Sequence, residues 1–262
     1  RENAPEYHLV AAGSLLGVSI HPGRSFPVGQ VEIMDLHPMT FAEFLDALGE
    51  EGLSAAIRNR DWKVLPAFHQ KLLQYLKYYF ITGGMPEVVR CFVETADWES
   101  VRRLQRQILL AYEGDFSKYA PAESVRRIRM VWDSIPAQLA RENRKFVYGM
   151  LREGARAREY ELAIGWLCDC GLVHRLDRVT KPSLPLSAYR DPSAFKLFMS
   201  DTGLLGAKAG LNVSALLSGD ALFTEFKGAM AEQFVLQQLL SCPERGLFYW
   251  TNDRSTAEVD FL

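Results

Sequence analysis

Tyr7-His-Leu-Val-Ala-Ala-Gly-Ser-Leu-Leu-Gly17, followed by Ser25-Phe-Pro-Val-Gly-Gln-Val31 and Leu36-His-Pro-Met-Thr-Phe-Ala-Glu-Phe44, reads as an apolar strand closed by a small polar turn, a second strand and the start of a helix. A short, partly β-branched apolar run ending in Gly-Ser has the form of a strand buried on both faces of a parallel sheet. Only six residues stand before it. The reading therefore predicts a chain that begins inside an α/β domain, with earlier strands of the sheet upstream.

Beyond this stretch the pattern turns helical. Thr40 and Glu43 form a Thr-x-x-Glu capping box ahead of Phe44, Leu45 and Leu48. Leu65, Phe68, Leu72, Leu73, Leu76 and Tyr79–Phe80 keep close to a 3.6-residue period, which Gly83-Gly84 breaks. Pro86 suits the first turn of the next helix, and a further helix is predicted over 101–111. Helices are then predicted over 128–139, 145–151 and 156–170. The last carries Tyr160, Ala163, Ile164 and Leu167 on one face and stops at Gly171. Strands at 172–176 and 195–199 flank a stretch with Pro182, Pro185 and Pro192 that is too long for a tight hairpin. Three helices followed by a long-tipped hairpin predict a winged helix. Past Asp201 a loop is expected, then a helix over 224–241 and strands over 247–251 and 257–262. In the last strand Val259 and Phe261 face one way, Glu258 and Asp260 the other.

Composition bounds the function more loosely. With 262 residues and 48% hydrophobic residues the chain is a folded globular protein with ample core. A net charge of −2 gives no global pull toward nucleic acid or membrane. The weakly polar run from His8 to Ile20 is shorter than the ~20 apolar residues of a membrane span. Cys91, Cys168, Cys170 and Cys242 form no paired Cys-x-x-Cys site, so buried reduced thiols in a cytoplasmic protein are expected. Charge is uneven along the chain. Between Lys118 and Arg158 stand ten Lys and Arg (118, 126, 127, 129, 141, 144, 145, 152, 156, 158) against four acids (123, 133, 142, 153), a local +6 that leaves the remainder near −8.

The opening strand, Phe26-Pro-Val-Gly29, Pro38-Met-Thr-Phe-Ala-Glu-Phe44, Phe80-Ile-Thr-Gly-Gly-Met-Pro-Glu-Val-Val89, Gly154-Ala-Arg-Ala-Arg-Glu-Tyr160, Phe198-Met-Ser-Asp-Thr-Gly-Leu-Leu205, Lys227-Gly-Ala-Met-Ala-Glu-Gln-Phe234 and Ala257-Glu-Val-Asp-Phe-Leu262 together resemble a bacterial AAA-type ATPase family whose C-terminal region is a domain of unknown function, 4143. The resemblance covers nearly the whole chain. It implies a mixed α/β, mostly helical protein with four parts: the rear of an AAA-type core over 1–39, a helical lid over 40–123, a winged helix over 124–200, and the start of a restriction-endonuclease-like α/β domain over 201–262. It also implies ATP and Mg²⁺ as cofactors of the intact protein. No Gly-x-x-x-x-Gly-Lys-Ser/Thr phosphate cradle occurs in the chain, so no bound ATP and no ATP turnover are expected here.

Three candidate sites follow. Ser14 stands where that family carries a strand-end sensor of the γ-phosphate, and Arg24 could reach a neighbouring subunit's nucleotide; a turn residue and a solvated charge are the plainer readings of the same pair. Glu87 stands where AAA lids often carry a sensing Arg, which argues against such a sensor. Glu232 on a helix and Asp260 on a strand resemble the first two acids of a Mg²⁺-dependent nuclease, whose following Glu-x-Lys strand is not in the chain. Arg126, Arg127, Arg129, Lys145, Arg152, Arg156 and Arg158 are candidate contacts to DNA, with Arg156 and Arg158 at the head of a predicted groove-reading helix; a solvated face or internal pairing with acids explains the same cluster. The expected activity of the intact protein is ATP hydrolysis coupled to its C-terminal region. The alternative is a nucleic-acid-binding or protein-interaction module with an inert nuclease-like domain. A homo-oligomer is compatible with either, and no membrane association is expected.

Overall fold

Thr40 does cap a helix: its hydroxyl accepts from the Glu43 N–H while the Glu43 carboxylate accepts from the Thr40 N–H. In this computed structural model the described residues are 10, 13, 32, 34–142, 144–218, 224–242, 246–252 and 256–262. The expected strands at 7–17 and 25–31 lie outside them, Val10 and Gly13 excepted.

From Thr40 the chain builds α1 (Phe41–Ala47), α2 (Glu51–Arg58), a 3-10 turn (Leu65–Phe68), α3 (His69–Thr82), α4 (Pro86–Thr95) and α5 (Trp98–Tyr119). Pro86 occupies the first turn of α4, as expected. The apolar anchors of these helices interlock. Phe44, Tyr79, Val88, Val89, Phe92 and Val101 are buried together, and the Phe92 ring stacks on Trp98 with centroids 4.4 Å apart. The helix expected over 101–111 is twice that length, because Asp97 caps it through the N–H groups of Glu99 and Ser100, and its apolar face continues to the fully buried Phe116.

Next come α6 (Ala122–Leu139) and α7 (Ala157–Asp169), which pack on each other, then β1 (Val173–Val179) and β2 (Arg190–Met199), α8 (Thr202–Lys208), α9 (Val213–Ser218), α10 (Thr224–Leu240), β3 (Phe248–Thr251) and β4 (Glu258–Val259). The sheet runs β2-β1-β3-β4. Strands β1/β2 and β3/β4 are antiparallel, and β1/β3 parallel. One sheet therefore spans position 200. The main core gathers Phe116, Ile128, Trp132, Ile135, Tyr160, Ile164, Leu167, Leu176, Phe198, Leu204 and Leu236 between the helices and this sheet. The protein is mixed α/β and mostly helical, as the sequence implies.

Three local expectations need correction. The helix predicted over 145–151 is only a 3-10 turn, Tyr148–Met150, because the segment is short and Phe146 pairs its N–H with Phe195 instead of with a helical neighbour. The loop predicted after Asp201 is helical: the Asp201 carboxylate accepts from Leu204 N–H and starts α8. The last strand is regular over two residues only, with Val259 exposed. Among the cysteines only Cys170 is buried; Cys91 and Cys168 are half-buried, Cys242 is exposed, and all four are free thiols. Among the described residues no helix is long and apolar enough to cross a membrane.

The junction of α3, α8 and α10 is polar and buried. Asp201 is wholly buried and accepts from the Gly84 N–H at 2.6 Å and the Gln237 side-chain amide at 3.1 Å. Burial pushes its carboxyl above the usual range. The carboxamide oxygen of Gln237 accepts from the N–H and hydroxyl of Thr202, and its nitrogen donates to Tyr79, whose hydroxyl donates to Met39 O. Gln105 of α5 donates to the last carbonyls of α3, Ile81 and Thr82. These groups sit so close that side chains are excluded. Gly83 is left-handed (φ 73°) and faces the Asp201 carboxylate, and a Cβ on Gly203 would collide with the Thr82 carbonyl oxygen.

Gly203→Ala is expected to lower stability by about 1–3 kcal/mol, because the obstacle is backbone that cannot swing aside. Gly165 of α7 has open space where its Cβ would lie. Gly165→Ala is therefore expected to be neutral or stabilising by up to about 1 kcal/mol. Denaturant midpoints of the two variants check the contrast.

His174 in β1 supplies a pH test. Burial, helped by nearby His37, pulls its pKa from 6.5 down to about 4. Between those values the unfolded chain holds the proton and the folded chain does not. Stability is thus present above the unfolded pKa and drains away as pH falls through the folded one. His174→Gln is expected to flatten the pH dependence of stability below pH 6.5, the ordinary His value, measured by urea unfolding at stepped pH.

Candidate functional site

Two charged groupings remain, one on the surface and one inside. On the surface, Arg156 is the N-cap of α7 in extended conformation with no side-chain cap bond, and Arg158 is in the first turn. Both are exposed, and neither forms an ion pair among the described residues. Arg126, Arg127 and Arg129 are exposed on α6, with Arg129 donating to Ser117 at 2.9 Å. Lys145 is exposed. Arg152 is paired with Glu159 at 2.7 Å. The segment between β1 and β2 places Lys181 over the Tyr189 ring at 5.2 Å, as the long tip of the hairpin. The local +6 overstates the open charge, because Arg144 turns inward to Glu232 and Arg152 is neutralised by Glu159.

The interior grouping is built by four elements. Residues Ala194 to Met199 of β2 are all buried, so both faces of that strand meet protein. Lys196 is the one charged residue in that apolar run and is fully buried. A buried ammonium demands counter-charges, and the fold supplies three. Lys196 Nζ lies 3.1 Å from Glu232 Oε2 on α10, 2.5 Å from Glu258 Oε1 on β4, and 3.2 Å from Asp260 Oδ1 just beyond it. The Tyr249 ring of β3 lies beneath, 4.9 Å from Nζ. Side-chain exposure rises from 0% at Lys196 through 11% at Glu232 and 27% at Glu258 to 46% at Asp260, so the ammonium is the floor and Asp260 the rim. Arg144, in left-handed conformation, holds the other oxygen of Glu232.

Burial works against the Lys196 ammonium, but the surrounding carboxylates outweigh it and hold its pKa above the usual value. Burial likewise raises Glu232, with Lys196 and Arg144 pulling the other way.

The structure thus unites Glu232 and Asp260, the acids that the sequence pairs, and adds Glu258, Lys196 and Arg144. Glu258 was legible as a same-face neighbour of Asp260. Lys196 carried a signal too: a lone cation inside Phe195-Lys-Leu-Phe-Met199. The Mg²⁺ that the nuclease resemblance implies does not fit these residues. Their carboxylates already converge on an ammonium, and no group of three His, Cys, Asp or Glu among the described residues is set to hold a metal. Ser14 and Arg24, the candidate nucleotide sensors, lie outside the described residues. Glu87 is exposed in the first turn of α4.

No curated protein and no solved structure matches the chain. A family model does, over residues 73–215, from α3 through the basic helices, the hairpin and Lys196 into α9. The match takes in more than half of the sequence, and the chain belongs to the family described as Domain of unknown function (DUF8612).

Proposed function

We propose that this region of the protein is a nucleic-acid-binding module. The observation that carries the reading is the pair of exposed arginines at the N-terminus of α7, which form no ion pair among the described residues. There the helix start and two guanidiniums together offer positive charge to phosphate. In this reading α6, α7 and the β1–β2 hairpin act as a winged helix, with Arg126, Arg127, Arg129 and Lys145 as flanking phosphate contacts. Residues 40–123 form a lid-like helical layer. Residues 201–262 belong to a nuclease-like α/β unit whose acids serve structure and not hydrolysis.

The wider proposal is that the module is part of a cytoplasmic AAA-type ATPase that couples ATP hydrolysis to this region. It rests on the sequence resemblance, since Ser14 and Arg24 lie outside the described residues. The nucleic-acid reading stands on its own geometry.

The double variant Arg156→Ala/Arg158→Ala tests it. Binding to a DNA duplex is expected to weaken at all sequences. The slope of log K against log salt is expected to become shallower by up to about two, one for each phosphate no longer neutralised. Fluorescence anisotropy over a salt series reads both. An unchanged salt slope would sink the assignment of α7 and favour a protein partner.

A further inference from the structure

We infer that Lys196 is the resident cation of the Glu232–Glu258–Asp260 cluster, an internal ammonium that closes this nuclease-like site and makes it a metal-independent joint between β2, α10 and β4. The inference goes beyond nucleic-acid binding, which concerns a different surface.

Geometry is the first argument. Three carboxylates from two separate elements each place an oxygen between 2.5 and 3.2 Å from one nitrogen. The oxygens of Glu232 and Asp260, at 3.1 and 3.2 Å, stand at ammonium distances and beyond the roughly 2.0–2.6 Å of Mg²⁺ or Ca²⁺ ligation, and a side chain of the protein occupies the centre. The ammonium has three N–H donors; it donates to Glu232 and Asp260 and forms an ion pair with Glu258.

Burial is the second. A fully buried ammonium cannot leave for solvent without dragging β2 apart, because Phe195, Leu197, Phe198 and Met199 around it are all in the core. A metal ion entering the cluster would have to share it with a fixed positive charge a few ångströms away, which is unfavourable in a low-dielectric site.

Charge is the third. Glu232, Glu258 and Asp260 carry −3, and Lys196 with Arg144 carries +2. The remaining −1 falls at the rim, where Asp260 is 46% exposed and water solvates it. The cluster is therefore nearly neutral inside, without a metal.

The placement also explains what the joint does. Lys196 pairs with Leu176 of β1 in the sheet register, so the ammonium fastens α10 and the β4 segment to the hairpin that follows α7.

The test uses the whole chain and thermal unfolding without nucleic acid, so its outcome is independent of the arginine face. Wild-type protein is expected to unfold at the same temperature in EDTA and in excess Mn²⁺, since a ligand held only by the folded state would raise the midpoint. A Mn²⁺-dependent rise that Glu258→Gln abolishes would overturn the inference. Lys196→Met keeps the long apolar stem and removes the charge, and is expected to lower Tm by roughly 5–15 °C. Glu258 has no ion-pair partner other than Lys196 among the described residues. Adding Glu258→Gln is therefore expected to recover part of the drop in Tm by removing the carboxylate left stranded. If Lys196→Met alone fails to fold, refolding of the Lys196→Met/Glu258→Gln pair supports the inference in the same way. A double variant no more stable than Lys196→Met, or still unfolded, overturns it.

Discussion

Buried polar groups at the meeting of α3, α8 and α10 depend on partners inside the protein, and the rest of the structure is arranged around that constraint. The C-terminal carbonyls of α3, the start of α8 and the end of β2 converge where they are buried. Three glutamines of α10 supply much of the answer. Gln233 both donates to and accepts from the backbone of Met199, Gln237 joins Thr202, Asp201 and Tyr79, and Gln238 accepts from the N–H of Phe41 at the start of α1. One helix thus clamps the sheet, the short α8 and the first helix of the bundle. Glycine at 83 and 203 allows the approach, and Asp201 is the acceptor that ties Gly84 to Leu204. Arg102 shows how tight the junction is. Its Nη1 donates to the Gln105 side chain and to Gly203 O, its Nε and Nη2 have no partner among the described residues, and burial lowers its pKa to about 10.

The same α10 carries Glu232, a little more than one turn before Gln237, into the second buried polar group. Lys196 and its three carboxylates are a charged version of the glutamine clamp, again joining β2 to α10 and adding the β4 segment. The fold treats neighbouring cations differently. Arg144 and Arg156 are only twelve positions apart, yet one is folded against Glu232 and the other exposed at the head of α7. A count of charges along the sequence treats them alike, whereas the fold assigns one to structure and leaves the other available to a partner.

Local devices were legible in the sequence because they act across a few residues. The Thr40–Glu43 capping box, the stop at Gly83, Pro86 at the head of α4, the α7 periodicity and Gly171 in left-handed conformation all appear where the pattern places them. Where local signals were weak, tertiary context decided. Thr202-Gly-Leu-Leu-Gly206 holds two poor helix formers and reads as a loop, but Asp201 caps it and the packing of Leu204 and Leu205 holds it helical. The 145–151 segment has helical spacing, yet Phe146 is drawn into the core beside Phe195 and only a 3-10 turn remains.

The sequence by itself determined the helical character of the chain, the cap at Thr40, the stops at Gly83 and Gly171 and the basic tract from Lys118 to Arg158, while the family resemblance singled out Glu232 and Asp260. Only the tertiary structure decided what those acids do. Lys196 lies 36 positions from Glu232 and 64 from Asp260, and its own strand reads as an apolar run with one irregular residue. No periodicity links residues so far apart. Their meeting depends on the strand order β2-β1-β3-β4 and on the helix packed against it, and that order is chosen by the burial of the whole core, not by any segment within it.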